Sequence, residues 1–148
     1  LGEGRKRMSS PAPCFHLVHA GPDDHSVLAA TARLFQLAQV QAATEVAVAV
    51  QTKKQLAEFQ GLTISSAFEA LQKGRPADLG GLPIRLITKR SRPKDFRGPI
   101  LALMTAPAFA LELARVPECT ALVFVPAQDS DLHQYLAAIE STEIRLEG

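Results

Sequence analysis

The sequence predicts an α/β fold: one layered sandwich around a mixed, mainly parallel sheet. Three observations predict it. Short apolar runs and amphipathic runs alternate to give two βαβ-like units. A helical stretch of a different rhythm is inserted between those units as an αα-hairpin. Finally, two apolar runs in the middle of the chain are joined by a connector shorter than a parallel crossover normally needs.

Residues 1–13, LGEGRKRMSSPAP, read as a flexible leader, and 14–148 as a single α/β domain. The first strand is FHLVHA (15–20), followed by the polar loop GPDDHS. In the helix that follows, over 27–41, Leu28, Thr31, Leu34, Phe35 and Ala38 recur at helical spacing, with Asp24 or Ser26 placed to cap its first turn. The second strand is EVAVAV (45–50). Its alternating valines and alanines suit a strand covered on both faces, with small residues where a helix lies close.

The insertion starts with a capping-box pattern at Thr52-Lys53-Lys54-Gln55 and continues through LAEF to Gly61. A second helix spans Ser65 to Lys73 and is closed by Gly74. RPADLGG then reads as a connector to a strand at Leu82–Thr88. The next strand, Pro99–Thr105, follows after only the basic stretch TKRSRPKDFRG. Such a short link predicts an antiparallel hairpin with the basic stretch at its tip, and hence a mixed sheet. The second βαβ-like unit completes the chain. Pro107 opens a helix to Val116, where its missing N–H costs nothing, and TALVFVP (120–126) is the next strand. Asp129, Ser130 and Asp131 place negative charge at the start of a last helix, and TEIRL adds a short edge strand.

Composition narrows the function classes. The 16 Lys and Arg against 15 Asp and Glu leave a net charge of +1, which argues against a general nucleic-acid or membrane coat. The absence of Trp, with Tyr135 as the sole tyrosine, argues against a carbohydrate or single-strand stacking platform made of aromatics. Cys14 and Cys119 form no CxxC pair and read as free thiols acting as small hydrophobes, so a cytoplasmic location is expected. No apolar run has the length of a membrane span or the form of a signal peptide.

Three places carry candidate chemistry. The first is a strand-end crevice of His19, Asp23, Asp24, His25 and Lys53, because ligands of open α/β sheets bind beyond the carboxyl ends of strands. Thr105 and Gln128 lie at further strand ends and extend this crevice toward a small, phosphate-bearing anion. The second is the basic loop, where Lys89, Arg90, Arg92, Lys94 and Arg97 are candidate anion contacts and Phe96 a stacking surface. An exposed Phe96 or an unpaired edge strand would also support a homodimer.

The third is QLAEFQGLTISSAFEALQKG (55–74). Leu56 and Ala57, Gly61 at the turn, Leu62 and Thr63, then Ala70 and Leu71 together resemble the helix-turn-helix of DNA-binding proteins. With the basic hairpin as a wing, the resemblance extends to winged-helix regulators and implies DNA binding. Its pattern departs at Ala67, where such motifs bury Val or Ile, and its second helix offers no Arg, Lys, Asn or Gln for base readout in its first two turns. No dinucleotide fingerprint, P-loop, metal motif or nucleophile elbow occurs, so neither a cofactor nor a metal is implied, and no catalytic residue is assigned. The reading that best fits these residues is a non-enzymatic module that binds a partner or a small anionic ligand. DNA binding through 55–74 and 88–98 is its alternative, and an enzyme acting on a phosphorylated small molecule the second alternative.

Overall fold

The computed structural model describes residues 12–18, 24–52, 54–55 and 65–145. Among these residues seven strands form one sheet: β1 (Cys14–His16), β2 (Val46–Ala49), β3 (Ala77–Leu79), β4 (Leu82–Ile87), β5 (Gly98–Leu103), β6 (Cys119–Val125) and β7 (Thr142–Glu143). The accompanying helices are α1 (Asp24–Val40), α2 (Ser65–Gln72), α3 (Pro107–Arg115) and α4 (Asp129–Ala138). The strand order is β3-β4-β2-β5-β6-β1-β7. Every pair is parallel except β3–β4, so the predicted α/β class and mixed, mainly parallel sheet are found. No helix among the described residues is long and apolar enough to cross a membrane.

Side-chain alternation along the central strands creates two covered faces. Val46, Val48, Leu101, Leu103, Val123 and Val125 share one core with residues of α1 and α2. Ala47, Ala49, Ile100, Ala102, Leu122 and Phe124 share the other with residues of α3 and α4. All six residues of β5 are buried, as a strand covered on both sides requires. The chain steps from β1 to β2, and from β2 to β4, in one direction across the sheet, with α1 and α2 on the first face. It steps from β5 to β6, and from β6 to β7, in the opposite direction, with α3 and α4 on the second face. This coupling of direction to face is what a single crossover hand produces.

The link from β4 to β5 corrects the expected hairpin. β2 lies between these two strands and pairs with both in parallel, so residues 88–97 form a crossover without a helix. The length suffices. Passing one intervening strand takes roughly 10 Å sideways and returning along six residues roughly 20 Å, whereas ten extended residues reach about 33 Å. Phe96 fills the slot a crossover helix would occupy. It is 2% exposed and belongs to the second-face core with Ala47, Ala49, Ile87 and Ile100. The alanines of β2 let the loop lie directly on the sheet. Phe96 is therefore core, and neither a stacking surface nor a dimer contact.

The antiparallel pair occurs one connection earlier, in a strand the sequence reading passed over as connector. β3 and β4 are joined by Gly80 and Gly81 alone, with Leu79 opposite Leu82. Both glycines have positive φ, 57° and 90°, as a two-residue type I′ turn demands. Asp78 Oδ2 accepts the Gly81 N–H at 2.9 Å and steadies this turn.

The remaining elements follow the expected order. Pro107 occupies the first turn of α3, and Asp129 and Asp131 that of α4. The short edge strand is β7, beside β1, with the Ile144 N–H donated to the His16 carbonyl at 2.7 Å. Of the insertion, α2 is described and is followed by Gly74 at φ 75°; of the first helix of the expected αα-hairpin, which runs from the Thr52–Gln55 cap to Gly61, all beyond Gln55 lies outside the described residues. Residues 1–11 of the expected leader also lie outside them, while Ala12 and Pro13 already bond through their backbones to Ala114 and Leu122.

Candidate functional site

Six strands, β1, β2, β4, β5, β6 and β7, run parallel, so their carboxyl ends share one edge of the sheet. Ligands of open α/β sheets bind on this edge, where neighbouring connections depart to opposite faces. The connection after β2 carries α2 on the first face, while those after β4 and β5 run over the second. A switch point therefore lies on each side of β2.

The β2–β5 seam is clasped by two glutamines. Gln51 Oε1 accepts the N–H of Ala106, the residue before α3, at 3.0 Å. Gln55 Nε2 donates to the Met104 carbonyl at 3.0 Å, and its Oε1 accepts the Gln51 N–H at 2.9 Å. Gln55 thus bonds back to Gln51 rather than Thr52, and its own N–H goes to the Thr52 carbonyl at 3.0 Å, so the reciprocal side-chain bonds of the expected Thr52–Gln55 capping box are not those found. Between the two clasped backbone positions lies Thr105, whose buried hydroxyl has no partner among the described residues. Met104 beside it has φ 54°, a conformation uncommon outside glycine. Strain and an unsatisfied polar group thus coincide at one switch point, where functional sites commonly concentrate them.

At the β2–β4 seam the backbone ladder continues, with the Val50 N–H on the Ile87 carbonyl at 2.9 Å and the Lys89 N–H on that of Gln51 at 3.5 Å. Beyond β4, residues 88–91 form a tight turn in which the Thr88 N–H bonds Ser91 O at 2.8 Å and the Ser91 N–H bonds Thr88 Oγ1 at 3.1 Å. Lys89 and Arg90 are its tip. The turn, Leu86 on β4, and Gln51 and Thr52 after β2 enclose a groove of about 730 Å³. Two cations, three hydroxyl side chains and one apolar residue thus face a single space. A comparable groove of about 540 Å³ runs along α1 past His25, Arg33 and Arg145, but it lies away from both β2 switch points.

The five basic candidates of the loop part company. Lys89 Nζ lies 3.3 Å from Glu112 on α3 and 5.1 Å from the centre of the Phe109 ring. Arg92 approaches the same carboxylate at 3.9 Å. Arg97 donates to the Pro117 carbonyl at 3.3 Å. Lys94 is exposed outside the groove, and Arg90 makes no ion pair among the described residues. Asp95 pairs not within the loop but with Arg85 on β4 at 2.9 Å, and Arg85 also holds Glu45 at 3.1 Å. The guanidinium keeps the Asp95 carboxyl below its usual range. This bridge links the crossover to β4, so the stretch is not the projecting hairpin expected as a wing.

Of the other crevice candidates, His19, Asp23 and Lys53 lie outside the described residues. Asp24 begins α1, and His25 is exposed beside Arg33 and Arg145 rather than beside Gln51 and Thr52. Gln128 precedes α4 and is exposed.

A second polar group, missed in the sequence, lies inside the other end of the sheet. Tyr135 donates to Ser141 Oγ at 3.0 Å, and the same oxygen lies in hydrogen-bond contact with His16 Nδ1 at 2.7 Å. The only advance sign was a histidine within an apolar strand. Burial pushes the His16 pKa below its ordinary value, against the opposing pull of Glu143. Unfolded chains therefore take up this proton first, and the contribution of neutral His16, complete above about pH 6.5, is lost as pH falls through the lower folded value. The urea midpoint should fall between about pH 7.5 and about pH 5, and His16→Gln should flatten that fall. Equal slopes in both proteins would exclude His16 as its source.

Both thiols are free and buried. Burial raises the Cys14 pKa and pushes that of Cys119 up to about 12, so neither is a thiolate near neutral pH. Comparison with protein-family models, with curated proteins and with solved structures gives no match in any of the three.

Proposed function

We propose that this chain is a binding module for a small anionic ligand, held at the carboxyl ends of β2 and β4. The observation that carries this reading is the groove of about 730 Å³ at a sheet switch point, with Arg90 at its rim and no ion-pair partner among the described residues. Thr52, Thr88 and Ser91 supply hydroxyl donors, and Leu86 an apolar surface for the uncharged part of the ligand. A guanidinium suits phosphate or carboxylate recognition because its forked donors match two oxygens. The neighbouring glutamine clasp supports the reading, since Gln51 both lines the groove and ties it to Ala106, the residue before α3.

Inorganic phosphate and pyrophosphate are the test ligands. Either should raise the unfolding temperature of the protein, because a ligand bound only by the native state stabilises it. Arg90→Ala should weaken binding about tenfold or more while leaving the unliganded protein folded, because the side chain is exposed. Absence of both a thermal shift and a calorimetric signal would reject the anion site.

A further inference from the structure

We infer that the ligand is a polyanion with two linked phosphate-like groups, and that Glu112 is the built-in counter-ion it displaces. This rests on the anion-site reading. Lys89 and Arg90 are adjacent at the tip of one tight turn and both line the groove. They differ in what holds their charges. Arg90 is left without an ion pair among the described residues, whereas the Lys89 amine is drawn to α3 by Glu112 and by the face of Phe109. The same carboxylate also faces Arg92.

A single phosphate is satisfied by Arg90 and the neighbouring hydroxyls, and leaves Lys89 with Glu112. A second phosphate linked to the first has Lys89 as the other cation lining the groove among the described residues, and must take it from a carboxylate already in place. That competition is winnable. The Lys89–Glu112 pair is half exposed on both sides, and such pairs contribute little to stability. Glu112 thus sets the affinity of the second subsite by competing for its cation and by repelling any anion that fails to displace it.

Calorimetric titration of the intact protein with inorganic phosphate and with pyrophosphate tests this, alongside Lys89→Met and Glu112→Gln. The wild type should prefer pyrophosphate, and Lys89→Met should remove most of that preference while keeping phosphate binding. Glu112→Gln should tighten pyrophosphate about three- to tenfold, and phosphate less. In the double variant the gain from Glu112→Gln should vanish, which a merely structural role of Glu112 would not produce. Circular dichroism confirms that each variant is folded. If the wild type binds neither anion, the anion-site reading falls and this inference with it. If it binds both but Glu112→Gln is no tighter for pyrophosphate, or Lys89→Met keeps the preference, the counter-ion role alone is overturned.

Discussion

Phe96→Ala is expected to destabilise the protein by about 3–5 kcal/mol, the range for truncating a buried phenylalanine. Phe96 is the part of the basic crossover that is inside the molecule: it packs over Ala47 and Ala49, where neighbouring strands have helices above them. Because those alanines cannot expand into the space, the cavity persists and the cost approaches the upper part of the range. A urea or thermal unfolding curve measures it. Were this stretch the exposed tip of a hairpin, the same substitution would change stability by about 0.5 kcal/mol or less. The experiment therefore separates the crossover from the hairpin, and Phe96→Leu should recover much of the loss by refilling the slot.

Gly98→Ala has the next largest effect, about 1–3 kcal/mol from steric conflict. Gly98 begins β5 at φ 158°, and a Cβ there would run into the carbonyl oxygen of Glu45. Relief by movement is restricted from three sides. The Gly98 N–H is bonded to Glu118 O at 3.0 Å, Glu45 is tied to Arg85, and the Phe96 ring lies against the same position. A shift of Gly98 would thus disturb the register of β5 on β6, where an irregularity already sits between Gly98 and Pro99. A lowered unfolding midpoint with an unchanged denaturant dependence is the expected result; an unchanged midpoint would show that the strands have room for a Cβ at this crossing.

These two residues also show how far the chain could be read in advance. Alternation in EVAVAV and the apolar runs PILALM and TALVFV announce strands, and the valines and alanines of β2 do divide between the two cores. Pro107, Gly74, Asp129 and Asp131 mark helix ends through purely local chemistry. The Gly80-Gly81 turn was equally legible in principle, because two adjacent glycines between short runs signal a hairpin, but the Ala77–Leu79 run is too short and polar to stand out as a strand. The candidate site was legible only in its cations. Arg90 and Lys89 were visible as charge, but what sets them apart is a glutamate some twenty residues later in the chain and on another element.

Element type, the two-faced burial of the central strands and the α/β class are properties of neighbours in the chain, where spacing and side-chain chemistry act over a few residues. Strand order, the passage of 88–97 over β2, the Gln51 bond to Ala106 and the Ser141 bond to His16 join positions far apart in the chain. For these, local pattern is silent. A ten-residue basic link is compatible with a hairpin or with a crossover, and the choice falls to whichever arrangement buries Phe96 and pairs β2 on both edges. That free energy exists only once the strands have met, so the connection and the groove beside it belong to the tertiary structure.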